Sequence, residues 1–464
     1  MKKFRLLALF LALTLSLTLA APFACATGSG SAILDGMSVQ AKAAILVDPD
    51  TDEILYEYNA HEKMYPASIT KVMTCLLTLE AVDRGELTLE QTVTASQSLH
   101  TGIGDNASTA DIKVGEEIRI IDLLYAALIP SANEACNVMA EAVSGDITSF
   151  VELMNQRAVE LGMTGTHFAN THGYHDDNHY TTAYDVYLMS KQAMQHETFR
   201  TIVASLNYTM PATNMHPEER IVRSTNALIS NFRVWGYLYQ YATGIKTGST
   251  NEAGYCLAAS ATKEDRNLIS VVMGCEREPG TTGSQGFLYF SETTRLFEWG
   301  FSNFARQTML DGTKRDIPEV AVTLGKDTNY VTLEPQGEVT ALLPKDVSAE
   351  QFEYTYTRNA ESVEAPVEKG QQLGTISVSF NNKIYGTLPL VASIAVERDE
   401  WLYRLDRLEK FFDQLWVKIL LVVLLVLIAF LLLRRLLFRG RRNRYGSSYG
   451  GGRHSRYTGS RRRR

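Results

Sequence analysis

The chain has 464 residues, of which 45% are hydrophobic and 21% charged, with a formal net charge of −7. That length suits two or three domains, and the mixture is that of a globular body without low-complexity or fibrous character. Setting aside the twelve arginines of residues 434–464 (+12) and three basic residues at the start (+3) leaves about −22 on the rest, which argues against a polyanion such as nucleic acid as its ligand.

Lys2, Lys3 and Arg5 precede an apolar run over residues 6–19, and Ala24-Cys25-Ala26 offers an A-x-A cleavage site. Residues 1–26 are expected to be a signal peptide, with the exported chain starting near Thr27. The alternative is a lipoprotein signal with Cys25 modified, which Pro22-Phe23-Ala24 fits poorly. Residues 41–59 read as a hairpin: Ala44-Ile45-Leu46-Val47, a turn at Asp48-Pro49-Asp50-Thr51-Asp52, then Ile54-Leu55-Tyr56-Glu57-Tyr58.

Pro66-Ala67-Ser68-Ile69-Thr70-Lys71 then opens an apolar run compatible with a helix. Proline is tolerated in a first helical turn. Ser68 is therefore expected at a helix N-terminus, with Lys71 one turn on and on the same face. A serine hydroxyl is a weak nucleophile until a base takes its proton, and an amine can do so once burial or a neighbouring cation lowers its pKa. The helix N-terminus adds N–H groups and partial positive charge where an oxyanion would form. Ser-x-x-Lys alone is common by chance and usually means a cap and a solvated lysine, so the weight falls on the motifs further along the chain.

Short strands are expected within residues 87–117 and a helix over 118–128, ending at Pro130. Further helices are expected over 133–143, 147–161 and 182–196, with a loop rich in His, Asn and Gly at 163–182. Ser131-Ala132-Asn133 places a hydroxyl and a carboxamide two residues apart at a helix-edge turn. The hydroxyl can relay a proton; the amide can donate to a substrate carbonyl and accept from an ammonium. By itself this is an ordinary cap motif. Lys246-Thr247-Gly248-Ser249, with Gly244 upstream, is expected just before a strand. Glycine lets a substrate backbone approach an edge strand, the lysine supplies fixed positive charge, and the threonine hydroxyl can bind a terminal carboxylate. Strands over 255–260 and 268–273 come next, joined by a polar turn at 263–267, and then a helix over 284–300.

From about residue 306 to 397 β-branched residues alternate and helical spacing fades, as expected of a small all-β domain. Residues 396–414 carry apolar residues at helical spacing, a juxtamembrane amphipathic helix. Residues 415–433 are almost wholly apolar and long enough to span a membrane. The arginine-rich end carries no acidic residue after 434, so it is expected to stay cytoplasmic. A stop-transfer and anionic-lipid role suits this tail better than nucleic-acid binding. Beyond Cys25, the cysteines Cys75, Cys136, Cys256 and Cys275 have neither zinc-site nor disulfide-framework spacing. They read as buried small apolar residues, with one disulfide left open.

Ser-x-x-Lys, Ser-x-Asn and Lys-Thr-Gly in this order match the signature shared by penicillin-binding proteins and class A β-lactamases, except that the middle element is Ser-Ala-Asn where Ser-Asp-Asn is usual. The chain resembles the low-molecular-mass penicillin-binding proteins that are D-alanyl-D-alanine carboxypeptidases, serine peptidase family S11. Leu161-Gly162-Met163, Thr166-His167-Phe168-Ala169-Asn170-Thr171-His172-Gly173 and Thr181-Thr182-Ala183-Tyr184-Asp185 carry the likeness further. The resemblance implies an α/β (α+β) fold of the β-lactamase/DD-peptidase-like transpeptidase type, a central antiparallel sheet flanked by helices. After it come the small all-β domain and a C-terminal transmembrane helix. Where many members use an amphipathic helix lying on the membrane, here a span and basic tail follow such a helix.

Carried over by motif, Ser68 is the acylated nucleophile, Lys71 its general base and Ser131 a proton relay to or from the leaving amine. Asn133 holds the peptide carbonyl and Lys246 tunes the field and the proton relay. Thr247 and Ser249, around Gly248, bind the terminal carboxylate. The N–H groups of Ser68 and Ser249 form the oxyanion hole. The implied substrate is a peptidoglycan stem peptide ending in D-Ala-D-Ala, with β-lactams as covalent inhibitors and no cofactor or metal. The expected parts are a signal peptide (1–26), a catalytic domain (27–305), a β-rich domain (306–397), a juxtamembrane helix (398–414), a transmembrane helix (415–438) and a basic, disordered cytoplasmic tail (439–464). Three alternatives compete. A serine β-lactamase needs a deacylating Glu, and no Glu-x-x-Leu-Asn stands between Ser131 and Lys246. A zinc peptidase built on His167, His172, His175 and His179 lacks an H-E-x-x-H spacing. A catalytically silent wall-binding scaffold has to explain why every motif residue is intact.

Overall fold

The computed structural model describes residues 37–314 and 316–439. The expected signal peptide and nearly all of the basic tail lie outside the described residues. By contacts the chain divides into two units, one running to Met309 and taking in Thr340–Phe352, the other made of Leu310–Val339 and the chain from Glu353 on.

The first unit is built on a five-stranded antiparallel sheet. Its strands are β1 (Ala43–Asp48), β2 (Glu53–Tyr58) and, after the short strands β3 (Thr92–Thr94), β4 (Glu117–Arg119), β5 (Asn207–Met210) and β6 (Arg220–Arg223), the long strands β7 (Ala242–Thr250), β8 (Gly254–Lys263) and β9 (Arg266–Cys275). The order is β2-β1-β9-β8-β7, so β7 is an edge. All six residues of β1 are buried, as a strand covered on both faces requires. Ile45, Val271 and Met273 join the core formed with the helices on one face. Leu46, Leu268 and Val272 join the aromatic layer of Phe290, Phe297 and Phe301 on the other.

The helices are α1 (Lys71–Asp83), α2 (Ile120–Leu128), α3 (Asn133–Ser144), α4 (Ile147–Glu160), α5 (Ala183–Ala193), α6 (Glu197–Val203) and α7 (Leu288–Asn303). Ten of the thirteen residues of α1 are buried, which suits a helix in the core. α7 covers the other face so closely that a Cβ on Gly300 would stand 2.8 Å from Leu46 and 2.9 Å from Leu268.

Several boundaries differ from expectation. Ser68 sits in a single 3-10 turn, Ala67–Thr70, that leads into α1. The helix expected from 118 begins at Ile120, because Glu117–Arg119 pairs with Thr92–Thr94. The helix expected from 284 begins at Leu288, behind Gly286 at φ +74. Helix α6 and the β5–β6 hairpin were not expected. The largest correction concerns Lys246-Thr247-Gly248-Ser249, which lies inside β7 and not before a strand. Both of its glycines serve close packing. A Cβ on Gly244 would stand 2.6 Å from Cγ2 of Val203, and one on Gly248 would stand 2.8 Å from the Pro66 carbonyl oxygen. The four cysteines Cys75, Cys136, Cys256 and Cys275 are free and buried.

The second unit is rich in β-strands. Its four-stranded sheet orders Leu333–Pro335, Lys383–Ala392, Gln372–Phe380 and Glu353–Arg358. Asp399 then caps α8 (Glu400–Asp413) by accepting from the N–H groups of Trp401 and Leu402. Trp401, Leu405, Leu408 and Phe412 are exposed along this helix. After Gln414 comes α9 (Leu415–Arg439), whose stretch Leu415–Leu437 has a mean hydropathy of 3.1 and is long and apolar enough to cross a membrane.

Candidate active site

The site gathers where α1, α3, the His-containing loop and edge strand β7 meet. Lys71 Nζ donates to Ser68 Oγ at 2.7 Å and to the His172 carbonyl oxygen at 2.7 Å. Lys71 is fully buried, and burial is the main force that lowers its pKa to about 8. The opposing pull comes from the negative forms of Cys136, Glu134 and Cys75.

The His-, Asn- and Gly-rich loop holds this pair in place. Thr74 Oγ1 donates to the Thr171 carbonyl oxygen at 2.5 Å, and Thr171 Oγ1 donates to Asn137 Oδ1 at 2.6 Å. His179 Nδ1 accepts from the Ala169 N–H at 3.0 Å, which leaves its Nε2–H to donate to Thr70 Oγ1 at 2.7 Å. Thr70 in turn donates to the Ala67 carbonyl oxygen at 2.8 Å. Ala67 has φ +47, a left-handed conformation that a β-carbon disfavours, just before Ser68. Burial presses the pKa values of His172 and His179 down to about 3, so both rings are neutral. These two histidines thus pack and orient; the sequence showed the residues but not the contacts.

Ser131 stands at φ +73 and Asn133 begins α3. Both are buried, and Ser131 Oγ and Asn133 Oδ1 have no hydrogen-bond partner among the described residues. An unpaired buried polar group costs about 1–3 kcal/mol, so these two atoms are the natural contacts for a bound molecule. The next residue, Glu134, braces the turn. Its Oε1 accepts from Thr109 Oγ1 at 2.6 Å and the Ala110 N–H at 2.8 Å.

Lys246 is buried on β7, where burial first and the charge of Lys71 second push its pKa well down. Its Nζ donates to the Thr247 carbonyl oxygen at 2.9 Å, and the Thr247 hydroxyl bonds that of Thr225 at 2.7 Å. Gly248 lies so near the turn of Ser68 that a Cβ there would stand 3.1 Å from the Ser68 nitrogen. Ser249 follows, exposed, opposite Tyr255. The structure thus brings Ser68, Lys71, Lys246 and Gly248 together directly. Ser131 and Asn133 stand at the start of α3, whose next turn carries Cys136, and Lys71 feels both that thiol and Glu134. One residue that sequence reasoning missed is Arg233. Its positive charge reaches Lys246, and it makes no ion pair among the described residues. No local pattern marks it, because its relation to Lys246 is made by the fold.

A serine in contact with a buried lysine of lowered pKa, beside an edge strand on this sheet-and-helix scaffold, is the arrangement of a serine acyl-transfer enzyme. Comparison with known proteins agrees. Residues 30–277 match the family model for D-alanyl-D-alanine carboxypeptidase, peptidase S11, and residues 314–398 match that for the penicillin-binding protein 5 C-terminal domain. The chain belongs to the D-alanyl-D-alanine carboxypeptidase family. It is 31% identical over 359 residues to D-alanyl-D-alanine carboxypeptidase DacF of Bacillus subtilis, covering 76% of this chain and 85% of that protein. It is 32% identical over 379 residues to DacC of Escherichia coli, covering 78% and 86%. Among solved structures, penicillin-binding protein 5 from Haemophilus influenzae superposes with a TM-score of 0.59 at 27% identity, over 78% of this chain and 99% of that one. The Streptomyces K15 DD-transpeptidase gives 0.51 at 28% identity, over 57% and 98%.

Proposed function

We propose that this chain is a serine-type carboxypeptidase that removes the terminal D-alanine from peptidoglycan stem peptides ending in D-Ala-D-Ala. The observation that carries the reading is the 2.7 Å contact from the fully buried Lys71 amine to Ser68 Oγ. Neutral Lys71 takes the Ser68 proton as Oγ attacks the carbonyl carbon between the two D-alanines. The N–H groups of Ser68 and Ser249 hold the oxyanion. Ser131 passes a proton to the leaving D-alanine amine as the C–N bond breaks, and Asn133 holds the neighbouring peptide carbonyl. Water then hydrolyses the ester and Ser68 recovers its proton. Thr247 and Ser249 bind the terminal carboxylate, Lys246 tunes the field and the proton relay, Gly248 keeps the strand close to Ser68, and Arg233 adds positive charge at the same end. Edge strand β7 offers unpaired backbone groups to an extended peptide. β-Lactams acylate Ser68 in the same way, with slow release and therefore inhibition.

The enzyme works outside the cytoplasm as a single-pass membrane protein. Its signal peptide covers residues 1–26, its catalytic part 27–305 and its β-rich part 306–397. Helix α9 is its anchor and the basic tail stays inside. Intact mass of the detergent-solubilised chain after brief exposure to benzylpenicillin tests the reading, with Ser68→Ala alongside. A stable one-to-one adduct in the parent alone, together with D-alanine release from a pentapeptide, is the expected result. Rapid drug hydrolysis without an adduct would make it a lactamase, and neither event would leave the scaffold.

A further inference from the structure

The first unit holds a second concavity, of about 520 Å³, at the end of the sheet away from Ser68. Its walls come from α5 and α6 (Lys191, Arg200, Ala204) and from the β7–β9 strands (Thr243, Ser260, Ile269). The volume is that of a small-molecule site, and the lining mixes polar side chains with the apolar Met194, Ala204, Leu268 and Ile269.

The polar groups are selective. Arg200 Nη1 is fixed by donating to the carbonyl oxygens of Met194 and Gln195 at 2.6 and 2.8 Å. The rest of its guanidinium faces no carboxylate in an ion pair among the described residues. Lys191 bonds Asp52 at 2.6 Å, and the lining acid, Asp50, is neutralised by Arg306 at 3.0 Å. Thr243 and Ser260, also in the lining, share a hydroxyl bond at 2.8 Å. Arg200 therefore gives this lining a positive charge without an ion-pair partner among the described residues.

We propose that this cavity is a second, non-catalytic binding site for a small amphiphile carrying one anionic group, carboxylate or phosphate, on an apolar body. Arg200 takes the anion, Ile269 and Ala204 contact the body, and Thr243 and Ser260 orient it. β7 joins this site to the catalytic one. Thr243 lines the cavity and Gly248 touches the Ser68 turn, five residues or roughly 17 Å along the strand. Between them Gly244 sits against Val203 of α6 with no room for a methyl group. A ligand wedged between α6 and β7 therefore bears on the strand that carries Lys246.

The test uses the full chain in detergent, with the catalytic site blocked by benzylpenicillin so that only other sites report. Phenylacetate, phenyl phosphate and neutral phenylacetamide are the probes, followed by saturation-transfer NMR against detergent alone. Saturable binding of an anionic probe, at least tenfold tighter than phenylacetamide, is expected. It should weaken at least fivefold in Arg200→Gln and disappear in Ala204→Trp, two changes at exposed positions. Preference between the two anions assigns the head group. No saturable binding overturns the proposal, as does binding that ignores both substitutions or the probe's charge. Failure of benzylpenicillin to acylate the chain would instead count against the catalytic reading, since the cavity plays no part in that step.

Discussion

A Cβ on Gly173 would stand 1.8 Å from the carbonyl oxygen of Ala67. The loop that receives Lys71 thus lies directly on the turn that carries Ser68, and Gly173 at φ +86 is doubly bound to be glycine. Gly173→Ala is expected to force the two apart. Displacements near 1 Å cost about 100-fold in such reactions, so benzylpenicillin acylation should slow by at least that much. The melting temperature should fall as well. Unchanged acylation would show that the loop is not part of the site.

Lys71, with its pKa near 8, is a base only when neutral. Its neutral fraction climbs as pH rises and levels off above that value. The acylation rate constant should therefore rise about tenfold per pH unit below 8 and flatten above it. Rates measured from pH 5.5 to 9 decide this, and a profile flat between 6 and 8 would remove Lys71 as the base. Lys71→Arg keeps charge but cannot accept the proton, and should lose roughly 1,000-fold or more.

Glu134 acts on that profile from behind. Its negative charge favours the protonated lysine. Glu134→Gln retains an acceptor for Thr109 and Ala110 but removes the charge, so the midpoint should move to lower pH. Glu134→Ala strips the acceptor as well. It should cost about 1–3 kcal/mol in denaturant unfolding and expose residues 105–112 to proteolysis.

His172 and His179 titrate near 3 in the folded protein, against an ordinary value of 6.5. Between those values the unfolded chain binds more protons, so folding stability rises with pH. The melting temperature should accordingly fall as pH drops from 6.5 towards 4. His179→Asn should flatten that slope, while also loosening the Thr70–Ala67 contact. An unaltered slope would mean that His179 is not held neutral.

Arg233 is expected to act on the substrate's anionic end and not on the nucleophile. Arg233→Ala should raise KM for a D-Ala-D-Ala peptide about tenfold or more, with a smaller change in kcat. Amidating the peptide's terminus should erase the difference between parent and variant.

The parts of the fold that announce themselves locally were legible. The apolar run of residues 44–47, the turn after it and the apolar and aromatic residues of 54–58 give β1 and β2. The motif pair Ser68 and Lys71 gives one face of one turn. Asn133 starts its helix as Ser131 and Pro130 suggest. Strand β7 misled because Gly244 and Gly248 look like turn residues, and only the neighbours that crowd them, Val203 and Pro66, explain glycine inside a strand. Arg233, His179 and Glu134 are joined to the site by partners far away in sequence. Nothing near them in the chain marks that. Helix α6 escaped because seven residues give barely two turns of pattern.

The open edge of β7 has one more consequence. A molecule that docks there as an additional strand is gripped through main-chain amides and carbonyls, which every amino acid shares. Such a grip is blind to side-chain identity, so point substitutions along the strand cannot readily shed it while leaving the strand in place. A drug that imitates the backbone of the missing neighbour would leave the enzyme little room for escape by mutation at the site of contact.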